Sequence, residues 1–408
     1  MRRVCITGIG IVSPIGTGLD AFVTGLRSGL SGIRALPGTG VGAVPLRVAG
    51  QVDINFADYL SPQRIPGLDR VSLFALVAAT QALQDANRHS ALDLNHAGVY
   101  LGTGIGGVTA LETAYEEYFL RAGARIKPLT VVQAMNNASA AHIAIENHCH
   151  GQVLTYSVAC SSSAIAIGEA YRAIKHGYAE TILAGGTEAL LVPGTIRAWE
   201  ALRTLALPDV ANPSASCKPF SKGRTGLVLA EGAAIVVLEE EQRALQRGAN
   251  IYARLDAYGS CTDATHLTKP DADGQAATMM AALREAGLQP GDIDYINAHG
   301  TATLAGDIAE SNAIKAVFGH NARRIPVSST KSMHGHVMGA TGAIEFVASI
   351  AAMNHGFLPP TINLSEPDPE CDLDYVANTA REGAQLRRVM SNSFAFGGSN
   401  AVLIASRF

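Results

Sequence analysis

In the stretch YSVACSSSAIAIGEAYRAIKHG, residues 156–177, an apolar run stops at Cys160, three serines follow, and an apolar helical period begins. A serine cluster ahead of such a period is an N-terminal cap signal, which predicts a helix with Cys160 at or near its first turn. There the unpaired N–H groups and the positive end of the helix dipole favour thiolate, the form that attacks an acyl carbonyl. Taken alone, a single cysteine reads more readily as a small buried hydrophobe. The choice therefore rests on what else the chain brings to the same place.

Two further stretches bring something. NAHGT, residues 297–301, puts His299 directly after a strand and before Gly-Thr, and SSTKSMHGH, residues 328–336, adds Lys331 and His336 at the end of the next strand. A lone histidine in such a place usually serves as a hydrogen-bonded core residue. One cysteine and two histidines, all at strand ends, form a constellation that packing alone does not predict. Two other patterns carry less. GTGIGG at 102–107 satisfies G-x-G-x-x-G between a strand and a helix, but the segment about 20 residues on, where a dinucleotide fold needs an acidic residue closing a second strand, is basic around Arg125 and Lys127. HCH at 148–150 and HGH at 334–336 lack the third and fourth ligands of a metal framework, so no metal is expected.

The elements that must hold these residues follow from periodicity. Strands are predicted at 97–101, 153–158, 181–184, 293–297 and 325–328, with helices at 69–87 and 303–318 between them, the alternation of an α/β protein with buried parallel strands. The order repeats. Strand-helix units ending in VYLGTG, in Cys160 and in AGGTE are followed by units ending in YINAHGT, PVSSTKSMHGH and VMSNSFAFGGSN. This predicts duplicated halves, 1–250 and 251–408, with a site between them beyond the carboxyl ends of the strands.

Composition sets the outer bounds. At 408 residues and 48% hydrophobic, the chain can build two large cores. A formal net charge of −4 gives no electrostatic basis for nucleic acid binding. Cys5, Cys149, Cys160, Cys217, Cys261 and Cys371 show no C-x-x-C pair, which fits free thiols in a reducing compartment, and cytoplasm is the expected location. The opening MRRVCITGIGIVSPIG has the basic start of a signal peptide, but two glycines and a proline interrupt its apolar run, so a first strand and turn is predicted. No apolar run is long enough to span a bilayer.

VACSSS, NAHGT, STKSMHGH and NSFAFGGSN, in this order, resemble the motifs of the β-ketoacyl-acyl carrier protein synthases of types I and II, in the thiolase-like superfamily; the resemblance runs from ITGIGIVSPIG to the last strand. It implies a duplicated thiolase-like fold in five α-β-α-β-α layers, usually a homodimer with a heterodimer as the alternative, and a decarboxylative condensation on acyl carrier protein that needs no cofactor. Residue by residue, it implies Cys160 as the nucleophile, His299 and His336 as the histidines that work on the malonyl thioester, Lys331 with Glu345 as its acidic partner, an oxyanion hole at the N–H groups of Cys160 and Phe396, and a gate at Phe394, Ala395 and Phe396. It also implies acyl-pocket and dimer-face residues Ile105, Val131, Val132 and Met135, core packing within one subunit being the simpler alternative for the last three. An acidic carrier should meet a basic patch, for which Arg64, Arg125, Lys127 and Arg203 are candidates and ordinary surface charge is the alternative.

The chain departs from the family pattern at Ala302-Thr303-Leu304, Arg224-Thr225-Gly226, Ala164-Ile165 and Ala395. These departures point toward a specialised, polyene or polyketide-like pathway as well as fatty acid synthesis, and Ala395 in place of glycine is expected to stiffen the gate. A degradative thiolase would carry a second catalytic cysteine where FAFGGSN stands, and an initiating synthase would carry Asn at 336. A non-catalytic partner subunit resembling a chain-length factor is the alternative from another class, opposed by the presence of Cys160 and both histidines.

Overall fold

The computed structural model describes residues 1–38, 45, 47–121 and 125–408. The opening apolar run is the strand Val4–Ser13, buried along its whole length. The glycines that break it as a signal peptide have a packing purpose. A Cβ on Gly8 or Gly10 would stand 2.2 Å or 1.9 Å from the backbone oxygens of Ala82 and Ala78, so the helix Arg70–Ala86 can lie directly on the strand only because both are glycine. All six cysteines are free.

The predicted strands form as Gly98–Gly102, Val153–Tyr156, Thr181–Glu188, Tyr295–Asn297 and Val327–Ser328, and the predicted helices as Arg70–Ala86 and Leu304–Phe318. Asp69 accepts from the Val71 N–H and Thr303 from the Gly306 N–H, the caps that set where each helix starts. The repeat of order in the sequence is a repeat of topology. Val153–Tyr156, Gly98–Gly102 and Thr181–Glu188 run parallel, followed by antiparallel Gly232–Glu240 and Val4–Ser13. Val327–Ser328, Tyr295–Asn297 and Arg388–Phe394 run parallel in the same way, followed by antiparallel Ser399–Ser406 and Ala253–Thr262. The two runs join through Val4, Cys5 and Ile6, paired with Leu255, Arg254 and Ala253.

Helices Ser162–Lys175 and Thr341–His355 lie between the two runs and touch both. The second is buried on every side from Thr341 to Met353, as a helix in a middle layer must be. Arg70–Ala86 and Ala138–Glu146 cover the outer face of the first run; Ala272–Ala286 and Leu304–Phe318 cover that of the second. The result is five layers, α-β-α-β-α, with one apolar cluster between the sheets and one outside each. No helix among the described residues is long and apolar enough to cross a membrane.

Candidate active site

Cys160 follows the strand Val153–Tyr156 and stands just outside the helix Ser162–Lys175, whose N-cap position is Ser161. The preceding turn is tight, with Ala159 at φ 49°, a left-handed conformation uncommon for alanine. The serines do not cap the helix as expected. Ser161 Oγ donates to the Val158 carbonyl at 3.0 Å, and Ser162 Oγ accepts from the Val158 N–H at 2.8 Å while donating to the Ala159 carbonyl at 2.7 Å, so both fasten the turn. Ser163 Oγ accepts from the Ala343 N–H at 2.9 Å and ties the two middle-layer helices together.

The field that favours a thiolate at Cys160 is opposed by burial. Cys160 is 4% exposed, and burial pushes its thiol up to about 11; Lys331 and the backbone N–H groups of Phe396 and Cys160 itself, which hydrogen-bond the sulfur, pull against this, while Glu188 adds to it. The sulfur lies beyond the helix end and within an apolar cluster with Leu227, Ile196 and Met338, which strips it of water.

His299 and His336 face the thiol. One side-chain atom from each of Cys160, His299 and His336 falls within 4.8 Å of the other two, and the imidazoles meet edge to face with centroids 5.4 Å apart. Their outer nitrogens fix the tautomers. Lys331 Nζ stands 3.2 Å from His299 Nδ1, and an ammonium can only donate. The Met338 N–H donates to His336 Nδ1 at 3.0 Å. Both rings are neutral, since burial and the Lys331 charge hold both well below the usual histidine range. A neutral ring that accepts at Nδ1 carries its proton on Nε2. His336 Nε2 is buried with no partner, a donor left for whatever enters. Two N–H groups facing one cavity suit a developing oxygen anion better than a metal cation, which needs lone pairs there. Lys331 itself is buried, bound to the Glu345 carboxylate at 2.6 Å and to the His299 carbonyl. Burial pushes the Glu345 carboxyl upward and Lys331 holds it down.

The beta-ketoacyl synthase N-terminal domain matches residues 1–244, and its C-terminal domain matches residues 252–365. The chain belongs to the beta-ketoacyl synthase family. It is 41% identical to 3-oxoacyl-[acyl-carrier-protein] synthase 2 of Coxiella burnetii over 100% of this chain and 99% of that protein. Two solved structures each cover 100% of the chain. One is a type II polyketide acyl-carrier protein in complex with its ketosynthase bound to the hexaketide, with TM-score 0.90, 34% identity and 100% of that chain covered. The other is the ishigamide ketosynthase/chain length factor, with TM-score 0.91, 36% identity and 99% of that chain covered. The thiolase-like fold and an acyltransferase-type condensing activity follow from that membership.

Two buried carboxylates of the synthase escaped the reading of its sequence. Glu310, on Leu304–Phe318, accepts from the His299 and Gly300 N–H groups at 2.8 Å and 2.7 Å and from Asn392 at 3.1 Å, which holds the histidine loop in place. Glu188, at the end of Thr181–Glu188, accepts from Gly104 at 2.6 Å and Ile105 at 3.2 Å in one half and from Gly339 at 2.9 Å in the other. The AGGTE strand end was a signal for Glu188, since an acid closing a buried strand needs partners; Glu310 had only its place on an inward helix face. The HGH pair divides. His334 is taken up by the Gly335 carbonyl and Thr330 Oγ1, away from His336.

Cys160, His299, His336, Phe394, Ala395 and Phe396 share a cavity of about 170 Å³. Phe396 stacks on Trp199 at 6.1 Å. Ala395 is extended at φ −102°, and the positive angles fall on Gly397 and Gly398, so alanine adds no strain to this arrangement of the gate. Ile105, Val131, Val132 and Met135 do not line this cavity. They are 41%, 68%, 54% and 50% exposed, which speaks against the core alternative for the last three, and the loop at Gly106 and Gly107 lies against Gln133, Ala134 and Asn136. Arg64 is paired with Glu146. Arg125 and Lys127 are exposed. Arg203 ends the helix Pro193–Leu202 next to Thr204, which lines the cavity; Lys269, not anticipated, lines it directly.

Proposed function

We propose that this synthase, through its halves 1–250 and 251–408, condenses an acyl group held on Cys160 with a malonyl thioester of an acyl carrier protein. Cys160 Sγ attacks the acyl thioester carbonyl; the oxyanion meets the N–H groups of Cys160 and Phe396; the carrier thiol departs with the proton that Cys160 gives up. Malonyl-carrier protein then enters. Its carboxylate leaves as CO₂, the bonding pair passes into an enolate whose oxygen is held by the Nε2–H groups of His299 and His336, and the enolate carbon attacks the acyl carbon. The product is a 3-oxoacyl carrier protein two carbons longer. The expelled Cys160 thiolate takes a proton from solvent, which the buried site favours.

The observation that carries this reading is the meeting of the thiol with two neutral imidazoles whose tautomers are set by Lys331 and Met338. The pathway is fatty acid or polyketide-like chain assembly in the cytoplasm. The exposed patch of Ile105, Val131, Val132 and Met135 supports a dimer in which these side chains meet the second subunit and border its acyl pocket. Arg203 and Lys127, with Arg64 and Arg125, face the acidic carrier. Intact-protein mass spectrometry tests the reading. Acyl mass should appear on the parent and not on Cys160→Ala, should disappear on adding malonyl-carrier protein, and Cys160→Ala should still release CO₂ from malonyl-carrier protein. Loading of both proteins, or of neither, would overturn it.

A further inference from the structure

Besides His336 Nε2, two residues lining the cavity at Cys160 carry a buried polar atom without a partner, Gln275 at Oε1 and Thr204 at Oγ1. Gln275 is 2% exposed, in the first turns of Ala272–Ala286. Leaving a buried carboxamide oxygen without a donor is unfavourable by about 1–3 kcal/mol, and a side chain wanted only for packing would be leucine or methionine. Its neighbours are already engaged. Asp271 Oδ1 accepts from the Asp273 and Gly274 N–H groups, and the Asn400 amide donates to Asp263 Oδ1 at 2.5 Å. A donor that arrives with the substrate would satisfy the carboxamide oxygen.

We propose that Gln275 is a positioning residue whose side-chain carbonyl accepts a hydrogen bond from an amide N–H of the pantetheine arm that carries the thioester to Cys160, the Thr204 hydroxyl offering a second polar contact along the same cavity. The arm is a chain with two amides, and the cavity it must cross to reach the sulfur mixes apolar walls with these two open polar atoms. The assignment rests on the proposed condensation. It adds that recognition of the arm does not stop at the histidines and the gate.

The test compares Gln275→Leu with the parent on malonyl thioesters of pantetheine, with two amides, of N-acetylcysteamine, with one, and of methanethiol, with none. The variant should raise KM for the pantetheine thioester about 3- to 10-fold with kcat within about twofold, and leave the methanethiol ester unchanged. The N-acetylcysteamine ester then shows which amide is held, following the pantetheine pattern if it is the one nearer sulfur. Gln275→Met repeats the comparison should leucine crowd the site, and its melting temperature should equal or exceed the parent's. An equal loss on all three thioesters would make Gln275 a structural residue, and no change on any would make its partner a water; either overturns the assignment while condensation by the parent stands. A parent that turns over none of them and does not load from carrier protein would overturn the function and the assignment together.

Discussion

Lys331→Met separates the two half-reactions. Lys331 Nζ lies 2.6 Å from Glu345 Oε1 and 3.2 Å from His299 Nδ1, so its ammonium holds the His299 proton on Nε2, facing the cavity. Methionine keeps much of the volume and removes donor and charge. His299 is then free to carry its proton on Nδ1 and present a lone pair, which deletes one of two donors at the enolate oxygen, a loss of about 10²-fold. Acyl loading draws on the Cys160 and Phe396 N–H groups and loses only the pull of Lys331 on the thiol, so it slows by a smaller factor. Removing the cation also raises both histidines, but from well below their usual range, so at pH 8 both stay neutral. The assay measures CO₂ release from labelled malonyl-carrier protein and acyl mass on the protein, both at pH 8. Equal losses in the two steps, or CO₂ release within threefold of the parent, would refute the tautomer argument. Breaking a buried pair is destabilising by about 3–5 kcal/mol, so Lys331→Met/Glu345→Leu serves as a control that should regain stability without regaining decarboxylation.

Other expectations follow from single features. Because burial raises the Cys160 thiol, its alkylation by iodoacetamide, followed by peptide mass spectrometry, should climb about tenfold per pH unit from pH 7 toward its value near 11; a plateau below pH 8 would mean a thiolate at rest. Gly102→Ala would place a Cβ 2.3 Å from the Ser162 carbonyl carbon and the Ser163 nitrogen, so the helix start must shift; acyl loading should fall more than tenfold and the melting temperature should drop, while unchanged loading would show that the turn at Cys160 tolerates displacement. Glu310→Gln puts an N–H₂ or a weaker acceptor against the His299 and Gly300 N–H groups, and denaturant unfolding should show a loss of about 2 kcal/mol. Val131→Glu charges the exposed patch and should convert the dimer to monomer in size-exclusion chromatography; an unchanged elution volume would place the dimer contact elsewhere.

The residues that meet at the cavity were legible because each closes an apolar run, and strand ends are marked by the change from β-branched residues to glycine, serine and threonine. The burial that opposes ionisation of Cys160 was not legible for a definable reason. Reasoning from the helix dipole counts the field and not the loss of water, and the serines that seemed to cap the helix engage the turn instead. Glu188 and Glu310 hold backbone N–H groups of loops that the fold brings to them, Gly339 lying 151 residues beyond Glu188, and no local pattern records such a pairing. The apolar side chains at 131, 132 and 135 pointed to burial without saying by what, since a face that waits for a second subunit has the same composition as one that faces a core.

The cavity lies at the seam of a duplicated fold, with the thiol on one copy and both imidazoles on the other. The two half-reactions therefore draw on different side chains, although acyl transfer also uses the Phe396 N–H of the second half. A descendant that loses only the cysteine keeps the parts for decarboxylation, and one that loses only the histidines keeps the parts for acyl transfer. The separation of the thiol from the imidazoles thus makes each partial activity separately removable, and a chain that has given up one reaction can still serve beside a complete copy.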